Sequence, residues 1–167
     1  MKTLQHIVNL RLMILFAAAI PLLTYWSVAS AESQSHPIRE PFPSTDLTGR
    51  YCPDFPVLIH PLVNRELTTI YSDGRVHISG TAILQLTNVT TGKSIVVNAS
   101  GPGTYTADGT ALIAEGLLML FGEAGFFGAG SPAELSLNKG LTVLSLIDNS
   151  ILSRARNTED LCPSLRN

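Results

Sequence analysis

Cations are scarce in this 167-residue chain and are scattered rather than clustered: Lys and Arg number 11, against 13 Asp and Glu. A nucleic-acid partner needs a local concentration of Lys and Arg to neutralise phosphates, so that partner class is excluded. Cysteine is nearly absent as well, with only Cys52 and Cys162, and two thiols so far apart have none of the close spacing of a zinc site. Beyond residue 31 the only histidines are His36, His60 and His77, and no apolar run there is long enough to cross a membrane as a helix. Long amphipathic helices are also missing, and no residue pattern calls for a cofactor or a metal.

What is present begins with the leader. Lys2 and Arg11 form a positive flank, Leu12 to Ile20 is an unbroken apolar core, and Ala29-Ser30-Ala31 is a small-x-small cleavage site just before Glu32. Residues 1–31 therefore read as a signal peptide, and the chain as secreted or extracytoplasmic. The alternative is an uncleaved N-terminal anchor, since residues 12–31 carry no charge and a stretch of about 20 can span a bilayer. Pro21 and the polar Thr24, Ser27 and Ser30 favour cleavage, after which no stable membrane span is expected. Losing Lys2 and Arg11 lowers the cation count to 9 against 13 acids, a net charge of −4. In an oxidising compartment the economical reading of Cys52 and Cys162 is one disulfide that holds the two ends of the folded part together.

Residues 32–49 (ESQSHPIREPFPSTDLTG) are rich in Ser, Pro and charge and read as a flexible linker, leaving 50–167 as the folded domain. From Arg50 onward, short runs of Val, Ile, Thr and Leu are punctuated by turn residues. Between Arg75 and Val89, Val76, Ile78, Ala82, Leu84 and Leu86 share one parity while His77, Ser79, Gln85 and Thr87 share the other, which is a strand with one buried face. Ser72-Asp73-Gly74, Thr91-Gly92-Lys93 and Asp108-Gly109 are hairpin turns by composition, and Asn138-Lys139-Gly140 reads the same way between Ala133–Leu137 and Leu141–Ile147. Gly80 and Gly116 fall inside strand patterns and mark bulges or bends. Thr158 is placed to cap a short helical turn that presents Cys162. The expected fold is all-β: a single antiparallel meander closing into a small β-barrel, with a β-sandwich as the alternative and one disulfide between its ends.

The segments SDGRVHISG (72–80) and TNVTTGKSIVVNASGPGTYTADGT (87–110), with a cysteine near each end, resemble small secreted proteins of unknown function from high-GC Gram-positive bacteria. The resemblance covers roughly Cys52 to Gly109 plus Cys162. It implies export and a β-fold, and it brings no functional residue with it.

Several groups qualify as chemistry-bearing. Ser72, Asp73 and His77 could form a nucleophile, acid and base across a hairpin, but a turn explains the first two and the polar strand face explains the third. Glu115 is an acid inside an apolar strand; a glycosidase pair needs a second carboxylate nearby, and Glu66 cannot be placed from sequence. Gly128 to Ala133 fits the dinucleotide fingerprint formally, but no helix is expected after it. Asn88 and Asn98 lie in glycosylation sequons. The most suggestive surface feature is the loop Gly122–Pro132, whose glycines let Phe126 and Phe127 either project as a binding tip or fold back as a lid. The expectation is a non-enzymatic exported domain binding a small apolar ligand or an envelope component, with Phe126 and Phe127 as contact residues. The rival is an extracellular hydrolase or isomerase with Glu115 or His77 as its ionisable group.

Overall fold

The computed structural model describes residues 38–166, so the leader and its cleavage site lie outside the described residues. The strands come in pairs, each pair forming one long arm with a crease: β1 (Ile38–Pro41) with β2 (Leu47–Gly49), β3 (Val57–Asn64) with β4 (Leu67–Ile70), and β5 (Val76–Ser79) with β6 (Ala82–Asn88). The same holds for β7 (Ser94–Asn98) with β8 (Gly103–Tyr105), β9 (Ala111–Ala114) with β10 (Leu117–Gly122), β11 (Glu134–Lys139) with β12 (Thr142–Ser145), and β13 (Ile151–Ser153) with β14 (Asn157–Asp160). One helical turn, α1 (Cys162–Leu165), follows.

All ladders are antiparallel, and the seven arms lie side by side in chain order. On one side of the crease they make a seven-stranded sheet, β1-β4-β5-β8-β9-β12-β13. On the other side they divide into a four-stranded sheet, β2-β3-β6-β7, and a three-stranded sheet, β10-β11-β14. The expected meander is therefore present, but it folds across its own strands. No ladder joins β1 to β13, so among the described residues the sheets stay open and do not close into a barrel.

The crease keeps its hydrogen bonds. Arg65 N donates to Thr81 O (2.8 Å), Ala99 N to Ala82 O (2.9 Å), Glu115 N to Pro102 O (2.9 Å) and Gly140 N to Gly116 O (2.8 Å), each bond linking neighbouring arms. Backbones approach closely there: a methyl group at Gly101 would sit 2.2 Å from the Leu117 carbonyl oxygen, and one at Gly80 would sit 2.2 Å from that of Arg65. Glycine inside these strand patterns thus marks bends, as the sequence suggests, and the bends redirect each arm into a second sheet.

Several expectations are corrected. The turns at Asp73-Gly74, Gly92 and Asp108-Gly109 do join paired strands. In contrast, Arg75–Val89 and Thr110–Phe121 are each broken into two strands by the crease. Residues on either side of Gly140 do not form a hairpin, because β11 pairs with β10 and β14 while β12 pairs with β9 and β13. The stretch read as a linker, 32–49, holds β1 and β2, paired to β4 and β3. Pro41 is compatible with this because β1 is an edge strand with no ladder to interrupt on its outer side. Thr158 lies in β14 rather than capping α1, and Asp160 instead accepts a hydrogen bond from Cys162 N (3.0 Å).

The four- and three-stranded sheets share one core: Val57, Ile59, Leu86 and Val97 from the first meet Met119, Leu135 and Leu137 from the second, with Phe55, Leu161 and Leu165. The Cys52–Cys162 disulfide closes it, with a Cα–Cα distance of 5.7 Å. Asn88, 2 % exposed, latches α1 by donating to Leu165 O (3.2 Å) while its side-chain oxygen accepts from Thr90 N (2.9 Å). That burial leaves no room for a glycan on Asn88, whereas Asn98 is exposed.

On β11 the other face is polar yet buried. Asn138 donates to Ser136 Oγ (3.1 Å), Thr158 Oγ1 donates to Asn138 Oδ1 (2.9 Å), Ser136 donates to Glu134 (2.5 Å), and Arg154 forks onto both Glu134 oxygens. Burial pushes the Glu134 carboxyl upward, but hydrogen bonds from Arg154 and Ser136 outweigh it and hold the group below the usual range. A lowered folded-state value contributes stability above the unfolded value, near 4.3, and loses it as pH falls through the folded one. Glu134→Gln is accordingly expected to cost about 1 kcal/mol at pH 7, the gap from the parent shrinking toward zero in urea titrations below about pH 4. A gap independent of pH would show that the carboxylate charge contributes nothing.

Candidate functional site

Folding the arms brings the inner face of the seven-stranded sheet over the two smaller ones and leaves a cavity of about 530 Å³ between them, open to solvent. Cross-strand register explains its apolar roof. Ile38, Ile70, Val76, Tyr105, Leu112, Leu144 and Ile151 are successive partners across all seven strands, so one unbroken apolar row crosses the sheet. Ile78, Tyr105, Leu112 and Ala114 line the cavity from the roof, Ile59, Pro61 and Leu84 from the four-stranded sheet, and Leu118, Met119 and Phe121 from β10. The volume falls within the range of about 300–1,000 Å³ typical of small-molecule sites.

One wall is a strap. Residues 42–46 cross from β1 to β2 along the cavity, and Phe42, Pro43, Ser44 and Thr45 all line it. Phe42 N donates to Glu66 O (3.0 Å), Asn64 Nδ2 donates to Phe42 O (2.9 Å), and the strap's Asp46 lies 2.7 Å from His60 Nδ1. Glu66, at the crease between β3 and β4, is the sole charged side chain in the lining among the described residues. It is half-buried, and this desolvation raises its carboxyl above the ordinary value. Among the described residues no side chain bonds or pairs with that carboxylate; the backbone of Glu66 is held instead, its N donating to Asn64 Oδ1 (3.1 Å) and its O accepting from Phe42 N (3.0 Å).

The groups singled out in the sequence lie elsewhere. Phe126 and Phe127 stack edge-to-face at 5.0 Å, and both rest on Gly122, where a methyl group would come within 2.8 Å of either ring. Phe126 remains 49 % exposed and neither ring lines the cavity. His77 sits on the outer face of the seven-stranded sheet, bonded to Thr104 Oγ1 (2.9 Å). Asp73 is taken by Arg75, whose backbone and side-chain hydrogen bonds hold its carboxyl below the usual range, and no hydrogen bond joins Ser72 or Asp73 to His77. Glu115 is exposed at the crease and is not among the cavity residues, so it forms no carboxylate pair with Glu66 around the cavity. Gly128–Ala133 leads into strand β11, not a helix, and so lacks the N-terminus that would hold a pyrophosphate. Among the described residues no helix is long and apolar enough to cross a membrane.

The sequence does not place the cavity's two distinguishing parts: Glu66 enters only as a carboxylate whose position spacing leaves open, and Phe42, Pro43 and Leu47 fall within the stretch read as a linker. The available signal was the pair of large apolar residues in FPSTDLTG, which a solvated linker does not require. No family model, no characterised protein and no solved structure matches this chain.

Proposed function

We propose that this is an exported, non-enzymatic domain whose folded meander binds a small apolar molecule in the crease cavity. The observation that carries the reading is the cavity itself: about 530 Å³, walled by Ile, Leu, Met, Phe and Tyr side chains from all three sheets. Burying an apolar ligand there releases water from both surfaces, a gain of about 25 cal/mol per Å² before the entropic cost of binding. Export is supported by the leader and by a disulfide, which persists in oxidising compartments. The rival hydrolase or isomerase reading draws less support: His77 and Glu115 do not line the cavity, and among the described residues its lining holds no second carboxylate or imidazole beside Glu66.

Binding is tested with the neutral fluorescent probe N-phenyl-1-naphthylamine. The protein is expected to enhance its emission saturably. Ala99→Phe, which puts an aromatic ring into the lining, should reduce affinity at least about tenfold, by loss of roughly 1.4 kcal/mol or more. Phe126→Ser, in a loop that does not line the cavity, should leave it unchanged. If Phe126→Ser abolished the signal while Ala99→Phe did not, the aromatic loop would be the binding tip and the cavity reading would be wrong.

A further inference from the structure

Among the described residues Asp54 pairs with Arg166, Asp73 with Arg75, Glu134 with Arg154, Glu159 with Lys139, and Asp46 with His60. Asp108, Glu123, Asp148 and Asp160 accept hydrogen bonds instead, and Glu40 and Glu115 are exposed to water. Glu66 differs from all of these: its carboxylate has no side-chain partner and sits in the half-buried wall of an apolar cavity. An uncompensated carboxylate there gives up hydration and receives no cation in return. The other polar groups in the lining, among them Asn64, Ser44, Thr45 and the Tyr105 hydroxyl, are neutral, so the cavity presents one acidic point against an otherwise apolar surface.

We propose that the cavity takes an apolar amphiphile bearing a cationic amine, with the Glu66 carboxylate as its counter-ion. The inference rests on the cavity reading above and adds the chemistry of the ligand's head. The apolar tail lies along the row Tyr105–Leu112, and the ammonium group supplies the charge that no residue of the wall supplies. An opposite charge beside a desolvated carboxylate favours its ionised form, so the amine relieves the burial that raises the Glu66 carboxyl. A fatty acid, by contrast, would bring a second anion against Glu66.

Three ligands of equal chain length separate the possibilities: decylamine, 1-decanol and decanoate, each used to displace N-phenyl-1-naphthylamine at pH 7 in low salt. Decylamine is expected to displace the probe at about tenfold lower concentration than decanol, with decanoate weakest. Glu66→Gln should remove the advantage of the amine, so that decylamine and decanol displace the probe at similar concentrations from that variant, while Glu66→Asp should keep the preference. Circular dichroism melts of both variants confirm that they are folded. Equal displacement by amine and alcohol, or an amine preference that survives Glu66→Gln, overturns the counter-ion role while leaving the cavity reading standing. A protein that does not bind the probe at all overturns both.

Discussion

Replacing both Cys52 and Cys162 by alanine is expected to lower the unfolding free energy by about 4 kcal/mol, the largest loss of any change considered for this chain. The bridge spans a sequence separation of 110, so cutting it releases a long loop in the unfolded ensemble. It also ties the end of the first arm to the end of the seventh, which no ladder joins. Native domains are stable by about 5–15 kcal/mol, so a loss of this size leaves the fold marginal. Urea denaturation followed by circular dichroism checks it: the double variant should unfold at a much lower midpoint, and reductant should shift the parent but not the variant. Both cysteines are buried, at 0 % and 4 % exposure, so reduction of the parent should need denaturant to proceed at a useful rate. Coincident midpoints for parent and variant would show that the hydrophobic core alone holds the ends together.

Gly80→Ala is expected to cost about 3 kcal/mol. Two effects combine. Gly80 has φ +143°, a region that side-chain-bearing residues avoid at a cost of roughly 1–2 kcal/mol, and its methyl group would press on the Arg65 carbonyl at 2.2 Å, an overpacking of about 1–3 kcal/mol against unyielding backbone. Gly92→Ala is the control, because Gly92 also has a positive φ, +77°, but open space around it. It should lose only about 1 kcal/mol. The difference between the two variants isolates the close approach of neighbouring arms at the crease, and equal losses would mean that the arms do not nest there.

The three hairpins closed at Gly74, Gly92 and Gly109 were legible because a turn is a local event, written in the few residues that make it. The crease was not. Val76, Ile78, Ala82, Leu84 and Leu86 keep one parity straight through it, since a bend changes which sheet a strand enters without changing which face is buried. Gly140 shows the same ambiguity from the other side: glycine between two apolar runs looks alike whether the chain reverses or bends, and only distant partners, here β10 and β9, distinguish the two. The cavity was less legible still. Its walls come from five of the seven arms, and the feature that sets Glu66 apart is half-burial without a partner, a property of the assembled fold that no sequence spacing records.

One asymmetry of the smaller sheets has a mechanical consequence. Hydrogen bonding between the fourth and fifth arms runs through β8 and β9 and stops at the crease, leaving β7 and β10 unpaired with each other beside a groove lined by Ile95, Val97, Leu117 and Leu161. The first and seventh arms, at the opposite margin, are stitched by sulfur. The lower half is thus a purse with one sewn seam and one free seam. At the free seam side-chain packing stands where the roof above has a ladder of backbone hydrogen bonds.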